Sequence, residues 1–183
     1  MNLPGVAQAR RLSIYASRLV SVHESGHVIV LKALGYKPKQ IKIVPGLIGE
    51  AQYHLSFLEC CNITCLEQDA ILLGGFVASR LCRGYPREMC RIVSLVDFNE
   101  IAANFSELKA AYLLARKLIR AYWKEFLSLS VAISRSKSGL SGRAIERIVK
   151  GVNKTSTKQL GLLPEKGPPY VYRDVIQNAL RAT

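Results

Sequence analysis

Histidine is scarce in this sequence, with three in 183 residues. Acid is scarce too: 13 Asp and Glu stand against 26 Lys and Arg, a formal net charge of +13. No apolar run reaches the roughly 20 residues that a helix needs to cross a bilayer, so a membrane-spanning protein is not expected. The five cysteines are odd in number, Cys60 and Cys61 are adjacent, and no CxxC spacing occurs. This argues against a disulfide framework or a thiolate metal site and leaves Cys60, Cys61 and Cys65 as buried or loop thiols. The first eleven residues lack the apolar stretch of a signal peptide, which with the cysteines gives a cytoplasmic expectation. There is no GxxxxGK[ST] phosphate loop, no zinc-finger spacing, no RRM-type aromatic signature and no arginine-rich run.

Apolar residues make up 49% and charged residues 21%, which excludes a disordered chain. The length suits one domain with a core of its own. Its expected body is about residues 7–150, with 151–183 as a C-terminal extension. The charge is uneven: residues 1–100 carry a net of +3 and residues 101–183 a net of +10. A nucleic-acid partner fits that balance, but without a motif to accompany it a solvated basic face is the preferred reading.

Helical spacing runs through Leu12, Tyr15, Ala16, Leu19 and Val20 to Val28, Leu31 and Leu34, which predicts a helix over 7–34 closed by Gly35. Ile41 to Val44 alternates and ends at Pro45-Gly46, a strand and a turn; residues 49–55 read as a second short strand. Helices are predicted over 66–81, 97–104, 107–134 and 141–149. Residues 85–95 read as loop and 136–142 as a linker rich in serine and glycine. The expected fold is mainly α (α+β), helical with a small β-sheet beside the first long helix. Gly74-Gly75, flanked by apolar residues, reads as a close helix–helix contact, and Tyr122 and Trp123 as a core-facing helix edge.

The chemistry lies in His23-Glu24-Ser25-Gly26-His27, an HExxH pattern. On a helix the two imidazoles fall on one face a turn apart and can share a Zn²⁺ ion, while Glu24 points at the water that the metal activates. Two of the three histidines are in this motif, and its flanks Val20, Val22, Val28, Ile29 and Val30 are apolar. Buried imidazoles and a buried carboxylate are costly without a partner, and a metal is the simplest one. A catalytic zinc takes three protein ligands. The remaining histidine, His54, reads better as an exposed polar residue. The acidic candidates are Glu50, Glu59, Glu67, Asp69 and Asp97.

Around these residues the sequence resembles the FtsH-type, AAA-associated zinc proteases. Val22-HESGH-Val28-Ile29-Val30 is similar to that family's HEAGH helix. Ile41-Lys42-Ile43-Val44-Pro45-Gly46 followed by Gly49 resembles its strand and turn. Leu72-Leu73-Gly74-Gly75-Phe76-Val77-Ala78 with Gly84 resembles its LLGGRxAE helix. Leu114 to Ile119 and Leu140-Ser141-Gly142 resemble its C-terminal helices. The similarity covers about residues 18–150. It implies His23, His27 and Asp97 as zinc ligands, Asp97 standing 70 residues after His27 near the family's aspartate, and Glu24 as catalytic base. An edge strand of such an enzyme is expected to pair with extended substrate, either Ile41–Val44 or the strand around Gly49–Tyr53, which makes Ile43, Val44 and Gly49 the substrate-binding candidates.

Several features depart from that family. The ATPase module and membrane anchor have no counterpart, the turn after Val44 is shorter, and Ser79 and Arg80 replace acidic residues. The implied function is zinc-dependent endoproteolysis of flexible or unfolded polypeptide, ATP-independent in itself, acting alone, as a homo-oligomer or with a separate unfoldase. A catalytically silent binding or regulatory relative is the alternative, and a basic nucleic-acid-associated protein the next.

Overall fold

The computed structural model describes residues 4–42, 64–82, 84–95, 97–98, 108–136 and 138–155. The architecture is mainly helical with one small sheet, as the periodicity predicts. Helix α1 (Pro4–Ala33) is followed by strand β1 (Gln40–Lys42), then α2 (Cys65–Leu81), α3 (Arg87–Ile92), α4 (Leu108–Ala121), α5 (Trp123–Arg135), strand β2 (Gly139–Ser141) and α6 (Gly142–Ile148). Among the described residues no helix is long and apolar enough to cross a membrane.

Helix α1 ends as the sequence predicts. Gly35 takes φ +94°, Tyr36 N–H donates to the Leu31 carbonyl (3.1 Å) and Gly35 N–H to that of Lys32 (2.9 Å), so the last carbonyls are satisfied as the chain turns. Helix α2 begins with a capping box: the Thr64 hydroxyl accepts from Glu67 N–H and the Glu67 carboxylate accepts from Thr64 N–H. Such a cap is worth about 1 kcal/mol.

Helix α1 packs on α2 and α5, and α2 packs on α4. Val28, Ile29, Ile71, Val77, Leu114, Leu118, Phe126 and Ile133 fill the space between them and are buried almost completely. Helices α1 and α2 meet backbone to backbone. A Cβ on Gly74 would lie 2.8 Å from the Gly26 carbonyl oxygen, and one on Gly26 would strike the Gly74 carbonyl. The Gly74 contact expected from sequence is therefore real, and its partner is the glycine inside HExxH.

Three expectations need correction. Residues 85–95 are not all loop: Pro86 occupies the N-cap position of α3, where a missing N–H costs nothing. The helix expected over 107–134 is two helices, broken at Tyr122 (φ −113°, ψ 37°). Tyr122 and Trp123 do pack on the core, and the Tyr122 hydroxyl donates to the Asn153 carbonyl (2.9 Å). The expected linker contains β2, which pairs antiparallel with β1 in the register Gln40↔Ser141, Ile41↔Leu140 and Lys42↔Gly139. Ile43, Val44 and Gly49, and the second strand expected over 49–55, lie outside the described residues.

Candidate metal centre

His23 and His27 sit in the buried half of α1, one turn apart, facing α2. Their rings stand nearly perpendicular (79°), with centroids 4.7 Å apart. Asp97 approaches from the helical turn after α3, where Phe98 N–H donates to the Ser94 carbonyl (3.0 Å). Its Oδ2 lies 3.0 Å from His23 Nε2 and 3.5 Å from His27 Nε2, and the two Nε2 atoms are 3.0 Å apart. Three ligand atoms from separate positions thus converge on one point.

Hydrogen bonds behind the rings decide what those atoms are. His27 Nδ1 is 2.7 Å from the Ile71 carbonyl oxygen. A carbonyl only accepts, so Nδ1 carries the hydrogen and Nε2 is left with its lone pair. His23 Nδ1 is 3.4 Å from Ser94 Oγ, whose own hydrogen is given to the Cys90 carbonyl (2.9 Å). Ser94 therefore accepts from His23 Nδ1, and His23 Nε2 is also a lone pair. Two nitrogen lone pairs and a carboxylate oxygen pointed at each other repel unless a cation, either a proton on one ring or a metal ion, lies between them. Among the described residues, buried Asp97 Oδ2 has no hydrogen-bond donor. His23, His27 and Asp97 form a group that could hold a metal ion.

The protonation states agree with that role. Burial pushes the His23 imidazole below its usual value, and His27 adds to this, against the opposing pull of Asp97 and the Gly75 backbone. Burial alone would raise Asp97, but with no metal ion present a proton carried on His27 or His23 attracts and hydrogen-bonds the carboxylate and holds it far below the ordinary carboxylate range. A depressed His23 gives up its proton readily and Asp97 stays anionic, and those are the forms in which these two groups ligate.

Glu24 differs. It is buried, its Oε2 has no hydrogen-bond partner among the described residues, and burial with the nearby Asp97 charge pushes it well above the usual range. A carboxyl held in this way, next to a metal-binding group, has the environment of a general base or acid. A cation that neutralises Asp97 removes the second of those two causes.

Two features of the site escaped the sequence reading. Gly75 leaves room for the rings, because a Cβ there would lie 2.5 Å from His23 Nε2 and Cε1 and would strike His27 Nε2. Ser94 orients His23 from a segment read as loop. Ser79 is buried with Oγ unpartnered among the described residues. The histidines are oriented instead by Ile71 and Ser94. Of the other ligand candidates, Glu67 is committed to the α2 cap and also accepts from the Tyr36 hydroxyl (3.2 Å). Asp69 is buried on α2 outside the group, and Glu50, His54 and Glu59 lie outside the described residues. No protein-family model matches this chain, and no curated protein matches it.

Proposed function

We propose that this chain is a zinc-dependent endopeptidase, similar in its peptidase motifs to the FtsH-type proteases, in which His23, His27 and Asp97 hold the metal and Glu24 is the catalytic base. The observation that carries this reading is the convergence of two Nε2 atoms, each on a ring whose Nδ1 already has a partner, and the Asp97 carboxylate beside a buried glutamate. The separations are compatible with zinc. Ligand atoms about 2.0–2.1 Å from a tetrahedral centre are about 3.3 Å from one another, against 3.0, 3.0 and 3.5 Å here.

Bound zinc supplies Lewis acidity, which makes water a better nucleophile near neutral pH and stabilises negative charge on a carbonyl oxygen. Glu24 does the proton work. It takes a proton from the attacking water as the water oxygen bonds to the scissile carbonyl carbon. It returns that proton to the departing amine nitrogen as the C–N bond breaks. Its burial limits competing solvent contacts with the carboxyl. Ile71 and Ser94 keep the two imidazoles in the ligating tautomer throughout.

The chain has no phosphate-loop motif, so the substrates proposed are polypeptides already flexible or unfolded, with any unfolding left to a separate partner. Casein digestion by the zinc-loaded chain tests this. The parent should cut casein and Glu24→Gln should not, although both retain zinc, because an amide cannot accept the proton. Full activity in Glu24→Gln would remove Glu24 from the mechanism. Zinc binding without cleavage by the parent would turn the reading toward a silent, peptidase-like binding protein.

A further inference from the structure

The sheet register creates a second surface. Pairing Gln40 with Ser141 brings residues 37–39 against the start of α6. The approach is close: a Cβ on Gly142 would lie 2.6 Å from the Lys39 carbonyl oxygen and 2.7 Å from that of Pro38. Between these segments runs an open groove of about 950 Å³ lined by Lys37, Lys39, Arg143, Arg147 and Glu146. That is far more room than one small anion fills.

The charges of the groove are one-sided. Lys37, Arg143 and Arg147 are exposed, and Arg143 and Arg147 lie one turn apart on the same face of α6. The one acid of the lining, Glu146, is taken up by Lys32 of α1 at 2.6 Å. Like charges at i and i+4 weaken a helix by about 0.2–0.5 kcal/mol, so folding gains nothing from this cluster. An anionic partner does.

The position of the groove favours one kind of anion. From His27 to Ala33, α1 rises about 9 Å at 1.5 Å per residue. The chain then turns at Gly35 and enters the groove at Lys37. The groove thus lies on the segment that directly follows the helix carrying His23 and His27. We infer that the groove between residues 37–39 and α6 binds an acidic, Asp- or Glu-bearing stretch of polypeptide. The inference rests on the peptidase reading for the idea that this polypeptide is then cut, but not for the binding itself.

Fluorescence anisotropy on the full chain, with no metal added, separates the two. The probes are a labelled peptide carrying three glutamates, the same peptide with glutamines, and a single-stranded oligonucleotide of equal charge. The acidic peptide should bind at least tenfold more tightly than the neutral one. Arg143→Gln with Arg147→Gln, both exposed positions, should erase that preference while the circular dichroism stays unchanged, and 0.5 M salt should erase it in the parent, because exposed charges are screened. Equal binding of the two peptides, or a preference that survives the double variant, overturns the inference. An oligonucleotide that binds more tightly than the acidic peptide and is lost in the double variant also overturns it and assigns the groove to phosphate backbones. An acidic peptide that binds as expected but is never cut by the zinc-loaded chain leaves the groove standing and refutes the peptidase reading.

Discussion

Replacing Gly75 with alanine adds one methyl group at the place where the His23 and His27 rings rest. In the interior of a helix this change normally stabilises by about 0.5–1 kcal/mol, because glycine has the larger backbone entropy to lose. Here the new Cβ would lie 2.5 Å from His23 Nε2 and Cε1 and would strike His27 Nε2. Carbon contacts relax at roughly 3.5–4.0 Å, so the rings must withdraw by about 1 Å. A metal site tolerates about 0.2 Å. Ring rotation is far easier than moving the α1–α2 backbone contact, so the strain falls on the ligands and the fold survives. Gly75→Ala should therefore melt within a few degrees of the parent without metal, yet lose zinc affinity by at least a hundredfold and activity with it. Gly26→Ala, by contrast, would drive a methyl into the Gly74 carbonyl. It should destabilise by about 1–3 kcal/mol or more, since backbone cannot swing aside. Thermal melts with and without zinc, together with a chelator-competition titration, read both effects. A Gly75→Ala protein that binds zinc as tightly as the parent would show that the two histidines do not ligate from this face.

Glu24→Gln should raise the melting temperature of the metal-free protein while abolishing casein cleavage. It removes a carboxyl that burial and the Asp97 charge hold well above its usual value, which opposes folding at neutral pH in a way that an uncharged amide does not; an unchanged or lower melting temperature would contradict the burial argument. Ser94→Ala should weaken zinc binding by about 10–100-fold, the usual cost of losing a group that orients a metal-binding histidine. Nitrogen-15 NMR of the metal-free protein should show His23 losing its fixed tautomer while His27, held by Ile71, keeps its own. The His23 imidazole is pushed below its usual value, so protons compete poorly for it and zinc affinity should stay nearly flat down to about pH 6.5. The sign for stability is the same. A depressed histidine favours the folded state above its unfolded pKa of about 6.5 and that contribution is lost as pH falls further, so the metal-free melting temperature should drop below that pH.

Much of the site could be read in the sequence because its parts obey local rules. His23 and His27 are four apart, so any helix places them together, and the apolar flanks required that helix to be buried. Gly35 at the end of α1 and Gly74 at the helix crossing were legible for the same reason: few residues fit a positive φ or a backbone contact. Asp97 was reached through resemblance, since no local pattern joins residues 70 apart. The parts that stayed hidden are long-range or carried by backbone. Strand β2 is three residues of Gly139-Leu140-Ser141, too short for alternation to show, and it exists because β1 pairs with it. Helix α3 was masked by Pro86, which sits at its N-cap. The break at Tyr122 has no glycine or proline to announce it. Ile71 orients His27 through a carbonyl that every residue possesses, and Ser94 gains its role from where the turn before Asp97 places it. The capping box Thr64-Cys65-Leu66-Glu67 was legible, and it would have removed Glu67 from the ligand candidates.

The central claim is that His23, His27 and Asp97 hold one zinc together, and competitive zinc titration of the parent against Asp97→Ala tests it most directly. The parent should bind one zinc per chain. Asp97→Ala should bind at least a hundredfold more weakly, because two histidines alone do not complete a catalytic zinc site. If Asp97 served only to cap its helical turn, the variant would lose about 1 kcal/mol of stability and keep its metal. Equal zinc affinity in the two proteins would contradict the account.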